Sequence, residues 1–376
     1  MSILQLNGVC PAILVGLNEV LAEDPTYFNT PVGGIQSLQD PANKRGVTIQ
    51  QEAYAGDGHQ KIVRIMHKQR AIPSDITDEK NCTEGEEKPR FEETFEVQQH
   101  KQHVLKIKES TIRNLCSAWS DWVKIPGATS SNPADRASAR MNPAAQGPLM
   151  IMREMAEEVI MDLDAFRQEM NTVFLTSVAA HIGAFTGQSG TPAAKTYNII
   201  KSADNSLVLT GFNLFQQDLR KIGVSGRPIV FGGGNMDLAL DSMKYGCCND
   251  AGVDFGVMRT SGAPFQFYRD YSDFSTYFTD DNSFIAFLPK AIQFVNYLKY
   301  VGSFATQIGT MARGTIMDPV LGIDLDVRVM PNECGEYYNM WINSDFDFYF
   351  APDNIFKSGD RLEGVNGIVE GIGAAI

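Results

Sequence analysis

The sequence predicts an α+β fold, and three observations carry that reading. No Pro or Gly occurs from Leu149 to Ile182, and one apolar stripe runs through this stretch: Met152, Met155, Val159, Leu163, Phe166, Met170 and Val173. Its spacing of three and four residues predicts a helix from Leu149 to about Phe185, roughly 50 Å long at 1.5 Å per residue. Ahead of it lie two strand-like stretches of opposite charge, and beyond Phe265 the pattern turns mostly to strand. A strut of that length is more than most enzymes need. It suits a protein that passes a rigid element across a subunit.

From the N-terminus, residues 1 to 50 read as an arm. Pro11 to Leu21 is apolar, but Asn18 and Glu19 interrupt it and no basic residue precedes it. It looks like neither a signal peptide nor a membrane span and reads as a short docking helix. Gly/Pro-rich extended chain follows through Pro25, Pro31, Gly33, Gly34 and Pro41. With few periodic apolar positions it has no core of its own, so it must lie along another surface or stay mobile.

Gln60 to Arg70 is a basic strand with Lys61, Arg64, Lys68 and Arg70. Phe91 to Gln99 is its acidic counterpart, with Phe91, Phe95 and Val97 on one face and Glu92, Thr94, Glu96 and Gln98 on the other. Opposite charges of this kind predict antiparallel pairing. Between the strands, Asp75 to Lys88 is a polar tip carrying Asp78, Glu79, Glu84, Glu86 and Glu87. A lone two-stranded ribbon is marginal in water, so this one is expected to rest on a neighbour, either its own domain or another subunit.

Ser117 to Gly147 reads as a connector rich in Ser, Pro, Ala and Asn. The first half of the long helix is amphipathic, with Arg153, Glu154, Glu157, Glu158 and Asp162 on the polar side. Its second half, Val173 to Phe185, is apolar nearly all round and is expected to be buried on most faces. Gly187, Gly190 and Pro192 stop it. Short helices are predicted at Gly211 to Ile222 and Asn235 to Met243, around an apolar strand Pro228 to Phe231. Further strands are predicted at Phe265 to Tyr271, Phe284 to Leu288, Ala291 to Tyr297, Gly322 to Val329, Tyr337 to Asn343 and Asp345 to Phe350.

The composition sets outer limits. A chain of 376 residues can bury a large core, and 43% hydrophobic with 20% charged residues excludes wholesale disorder. The net charge of −13 disfavours tight nucleic-acid binding by the whole surface. It still allows the chain to line a container of nucleic acid. The six cysteines, Cys10, Cys82, Cys116, Cys247, Cys248 and Cys334, include no C-x-x-C and read as reduced thiols of a cytoplasmic product.

No constellation of residues rises to an active site. Gly232 to Gly234 lacks the Lys-Ser/Thr of a phosphate loop and reads as a tight strand-to-helix turn. His100 and His103 lack a further ligand at metal spacing, and His181 on an apolar helix segment reads as a hydrogen-bonded core residue. The pairs Asp324/Asp326, Asp345/Asp347 and Asp280/Asp281 could be catalytic carboxylates but also match a solvated sheet face. No catalytic, cofactor-binding or metal-binding residue is assigned, and no cofactor. The charge pattern marks Lys61, Arg64, Lys68, Arg70, Glu92, Glu93, Glu96, Glu154, Glu157 and Glu158 as candidate intersubunit contacts.

The order of parts resembles the major capsid protein of tailed bacteriophages, the Hong Kong 97-type fold. Gly211 to Gly234 (GFNLFQQDLRKIGVSGRPIVFGGG) looks like its axial-domain helix and buried strand. Phe278 to Gly302 (FTDDNSFIAFLPKAIQFVNYLKYVG) looks like the Asp-Asn turn and paired strands of such shells, and Leu362 to Ile368 (LEGVNGI) is similar to endings seen in phage capsid proteins. The resemblance is one of layout rather than of a short motif. It implies an N-terminal arm over residues 1–50 and an extended β-hairpin loop over 51–110. A peripheral domain with connector and spine helix would occupy 111–194, an axial domain 195–265, and remaining strands and the C-terminus 266–376. It also implies pentamers and hexamers in a virion shell around double-stranded DNA, assembled in the host cytoplasm, with decoration, portal or scaffolding proteins as further partners and no membrane. No Lys/Asn/Glu trio matches the self-crosslinking of some members. The competing expectations are an encapsulin-like shell around protein cargo and a cytoplasmic enzyme using the Asp pairs.

Overall fold

The computed structural model describes the chain except residues 1–5, 25–29, 52–60, 69–89, 184–194, 202–205, 208–210, 212–213, 215–216, 218–227, 235–265, 300–304, 309, 333–335, 353–366 and 376. The α-helices are α1 (Val9–Glu23), α2 (Gly33–Leu38), α3 (Pro41–Lys44), α4 (Glu109–Val123), α5 (Pro133–Arg140) and α6 (Gln146–Ala180). The first strands are β1 (Val47–Gln51), β2 (Ile62–Lys68), β3 (Arg90–Glu96), β4 (Gln99–Lys108), β5 (Lys195–Lys201), β6 (Ser206–Leu207), β7 (Ile229–Gly232) and β8 (Gln266–Arg269). Then come β9 (Ser283–Phe287), β10 (Ile292–Tyr297), β11 (Ala305–Ile308), β12 (Met311–Asp318), β13 (Ile323–Pro331), β14 (Tyr337–Phe350) and β15 (Ile368–Ala375). The fold is mixed helix and sheet, as the α+β expectation requires.

Two compact units divide the chain. One comprises Met1–Thr30, Val97–Glu169 and Asn296–Asp347; the other comprises Pro31–Glu96, Met170–Val295 and Phe348–Ile376.

The first unit is a sheet with helices on one face. Its strands run β4–β14–β13–β12–β11, and neighbours in this run are antiparallel. Alternation sorts its side chains. Ala312, Ile316, Ile323, Leu325, Val327, Val329, Met340 and Ile342 are buried, while Arg313, Thr315, Arg328 and Trp341 between them are partly open. The helices that supply the rest of this core are α1, α4 and the first turns of α6. Gly16 lets α1 and α6 meet closely, for a Cβ there would lie 2.1 Å from the Met152 carbonyl oxygen.

The second unit holds two sheets. In the mixed sheet β6–β5–β15–β9–β7–β8, β15 pairs β5 in parallel and β7 pairs β8 in parallel, and the other pairings are antiparallel. Its core is aromatic: Phe174 packs on Phe231 and Phe348, and Phe231 on Phe274 and Phe287. The smaller sheet is the antiparallel β1–β2–β3 ribbon.

The stripe predicted for the long helix is buried at Met152, Met155, Val159, Leu163, Phe166 and Met170. The helix is 35 residues long, starting three residues before Leu149 and ending at Ala180. Its last turns are less enclosed than expected, with Thr172 and Thr176 exposed. Three other expectations are corrected. The chain around Gly33, Gly34 and Pro41 is helical rather than extended, with α2 buried and Pro41 exposed, and the connector at Ser117 to Gly147 holds the end of α4, all of α5 and a short 3-10 turn. Tyr337 to Asn343 and Asp345 to Phe350 form one strand of 14 residues.

The first two errors share a cause. Asp40-Pro41, Asn132-Pro133 and Asn142-Pro143 look like loop punctuation, yet each is an N-cap followed by Pro at the first helical position. The Asp40, Asn132 and Asn142 side chains accept the amides of Ala42, Ala134 and Ala144 at 2.7, 3.1 and 3.0 Å. The helices predicted at 211–222 and 235–243 and the polar tip at 75–88 fall mainly outside the described residues.

The α1–α6 contact can be tested. Gly16→Val forces a side chain against backbone and is expected to cost about 1–3 kcal/mol of stability, read as a lower urea midpoint at unchanged m-value.

Candidate functional site

The long helix carries two stripes besides its apolar one. The first is polar and buried: Asp164, Arg167 and Asn171 at i, i+3 and i+7. In the first unit, Arg167 donates to Asp318 of β12 at 2.7 Å and lies 3.4 Å from Asp164. Asp164 accepts the amide and hydroxyl of Thr30, each at 2.9 Å, and the Gln168 amide at 2.8 Å. Asp318 also caps its own turn by accepting from the Val320 amide.

In the second unit, Asn171 accepts the Ile35 amide at 3.1 Å and donates to Asp270 at 2.8 Å and to Ser272 at 3.1 Å. Asp270 accepts the Gly34 amide at 2.8 Å. A Cβ at Gly34 would come within 2.6 Å of Asn171 Oδ1, so the contact needs glycine. These polar residues clamp the N-terminal segment, and sequence reasoning missed all three. Their signal was a polar residue at 164, 167 and 171 where the apolar stripe should widen.

The second stripe is exposed: Met150, Glu154, Glu158 and Met161 at i, i+4, i+8 and i+11. Met150 is 70% exposed and Met161 42%, large values for methionines on a helix that otherwise packs well. Glu157 lies beside this stripe but is bonded to Arg153 at 3.0 Å, and Arg153 reaches Glu23 of α1 at 2.6 Å.

The ribbon has the predicted antiparallel charge pairing. Arg64 and Glu92 meet at 2.9 Å across β2 and β3, both about half exposed, and Glu96 is exposed on the same strand. Lys61 is half-buried just before β2. Lys68 ends β2 opposite Arg90, and Arg70 lies outside the described residues. The other face of the ribbon is buried within the second unit at Val63, Ile65 and His67. Glu93 points to that side and accepts the Tyr349 hydroxyl at 2.9 Å. Tyr349 also packs on the rings of His67 and Phe95. The described part of the ribbon therefore rests on its own chain, and its charged face is what it offers outward.

Burial, helped by the Lys290 cation, pushes His67 down to about 4. Burial and the bond to Glu93 push Tyr349 up.

The remaining candidates have structural roles. His100 pairs with buried Asp345, which also meets Lys299 at 3.1 Å, and His103 lies 3.3 Å from Asp162. Asp326 accepts the Lys299 amide at 2.7 Å, Asp347 the Gln98 amide at 3.0 Å, and Asp280 the Asn282 amide at 3.1 Å. Asp281 accepts the Ser275 amide at 3.2 Å, on the exposed turn where the Ser275 hydroxyl also caps onto Asp273. His181, expected in the core, is exposed at the end of α6, where it bonds to the Ser177 carbonyl and stacks on Phe350 at 3.9 Å. Among the described residues no group of three or more His, Cys, Asp or Glu side chains is placed to hold a metal, and no helix is long and apolar enough to cross a membrane.

No protein-family model and no curated protein matches the sequence. Solved structures do. A Ralstonia phage GP4 capsid matches at 10% identity over 86% of each chain, with a TM-score of 0.39. The mature capsid of bacteriophage PhiM1 matches at 12% identity over 86% of this chain and 92% of that one, with a TM-score of 0.34. A Mycobacterium phage Che8 structure matches at 12% identity over 82% and 84%, with a TM-score of 0.35. Capsids of bacteriophages are thus among the solved structures that this chain resembles.

Two outcomes follow from the buried groups. Arg167→Met strands Asp164 and Asp318 without their shared cation and is expected to cost about 3–5 kcal/mol, measurable by urea denaturation. For His67, the folded value of about 4 lies below the ordinary 6.5, so the unfolded chain takes up the proton first. Its contribution is full above about pH 6.5 and is lost as pH falls toward 4. His67→Phe is therefore expected to flatten the stability loss between pH 7 and pH 5, read from urea midpoints across that range.

Proposed function

We propose that this chain is the major capsid protein of a tailed phage, with a Hong Kong 97-type fold, and that copies of it assemble into the icosahedral shell around the genome. The observation that carries the reading is the exposed stripe of α6. Two methionines flank two carboxylates along a helix of about 52 Å, on a side that one subunit leaves to water. The ribbon supplies a matching surface, since its outward face displays charge at the end of strands whose inner face is already docked.

On this reading, residues 51–110 form the extended loop and 111–194 the peripheral domain with its spine helix. Residues 195–265 form the axial domain and 266–376 the remaining strands. Residues 1–50 form the N-terminal arm, docked by the polar clamps. The charged face of one subunit's ribbon, with Lys61, Arg64 and Lys68, lies over Glu154 and Glu158 of the next subunit's spine helix. Many such weak contacts per subunit let assembly correct its errors before closure. The location is then the virion.

The test is a charge reversal. Glu154→Lys with Glu158→Lys, both on exposed positions, is expected to leave folded, soluble subunits and to abolish closed particles in light scattering and negative-stain microscopy. Normal shells from this variant would remove the ribbon–helix contact. A wild-type protein that stays a monodisperse monomer or dimer on concentration would remove the shell itself.

A further inference from the structure

One surface of the first unit is not used by the shell reading: the sheet face opposite the helices. Strand register aligns it in rows. Val104, Trp341, Arg328 and Arg313 stand side by side across β4, β14, β13 and β12, and the next row holds Lys106, Asn339 and Met330. Lys108 and Tyr337 follow at the edge. Lys106 and Lys108 are exposed, and Arg313, Arg328, Trp341, Asn339 and Tyr337 are partly so. Four cations thus share two neighbouring rows and an edge on a chain whose net charge is −13. Of the carboxylates, Asp324, Asp326, Asp345 and Asp347 stand at its other end, where Lys299 and His100 engage Asp326 and Asp345, and Glu109 and Glu336 adjoin the Lys108–Tyr337 edge.

The geometry is specific. Arg328 lies over the Trp341 ring at 4.5 Å and Lys106 over the Tyr337 ring at 4.2 Å, so both cations are held at the surface by aromatic faces. Arg313 and Arg328 are direct cross-strand partners. Cations on this lattice stand about 4.8 Å apart across strands and roughly 6.6 Å apart along one. Gln102, Asn339 and Asn343 add amide donors.

We propose that this face binds the phosphate backbone of nucleic acid without reading bases. It offers spread cations and amides, the groups that contact phosphate and sugar. Its rings are occupied by the protein's own cations, which leaves no stacking platform for bases. The identity of the nucleic acid as the enclosed genome rests on the shell reading; the binding does not.

The experiment measures fluorescence anisotropy of a short labelled DNA duplex with the full chain, at low and at physiological salt. The wild type is expected to bind with log K falling linearly against log salt, equally for different sequences. Lys106→Gln/Lys108→Gln, at two exposed positions, is expected to bind at least about tenfold more weakly at low salt and to shed about 0.9 of slope per lost phosphate contact. Arg328→Gln is expected to weaken binding in the same direction. Absence of wild-type binding at low salt, or equal binding by the double variant, overturns the inference. So does polyglutamate competing as well as duplex, which would assign the face to an acidic protein segment. Negative-stain images of the same samples separate the two readings. Shells with unchanged DNA affinity in the double variant end this inference alone, and subunits that never assemble yet lose DNA affinity end the shell reading alone.

Discussion

The structure depends on a buried polar stripe along one helix. Asp164, Arg167 and Asn171 replace apolar residues on a face that is otherwise packed. Each is held by carboxylate, amide or hydroxyl partners. A buried guanidinium between two carboxylates is a weak source of net stability, because desolvation cancels most of the attraction. What it supplies is position. A greasy helix can slide or rotate against a sheet at small cost, whereas Arg167 must meet Asp318 and Asn171 must meet Ile35 and Asp270. The N-terminal segment is placed by the same residues, through Thr30 on Asp164 and Gly34 on Asp270.

Charge is sorted by surface rather than spread. In the first unit the exposed stripe of α6 carries Glu154 and Glu158, while the open face of the sheet carries Lys106, Lys108, Arg313 and Arg328. An overall negative balance of −13 conceals a local basic face. Net charge governs solubility and long-range repulsion. Contact chemistry is set over a few ångströms, by which side of a strand each side chain takes, since screening erases weaker distant terms.

Much of the candidate site is legible in the amino-acid sequence. The opposite charges of the two ribbon strands, with Arg64 facing Glu92, follow from β alternation and cross-strand pairing, both local rules. The spine helix follows from an uninterrupted 3.6 period. The clamp residues are not legible, because a polar residue on a buried stripe is ambiguous until its partner is known. Thr30 lies 134 positions from Asp164, and Asp318 lies 151 from Arg167. The basic sheet face is equally hidden. Arg313, Arg328 and Trp341 are scattered in sequence, and only the register of β12, β13 and β14 puts them in one row.

By itself, the sequence determined the α+β class, the long helix with its buried stripe, the antiparallel charged ribbon and most strands after Phe265, because these depend on periodicities that repeat within a few residues. It also held the start signals of α3 and α5, Asp or Asn before Pro, though these look like loop until a helix follows. Tertiary structure alone decided that Gly33 and Gly34 begin a buried helix, that β14 is one long strand, and that the ribbon's inner face docks on Tyr349. It also decided that cations from three strands share a surface. The reason is physical: helix and strand patterns are set by neighbours along the chain, whereas partners for buried polar groups and rows across a sheet are set by contacts between residues far apart in it.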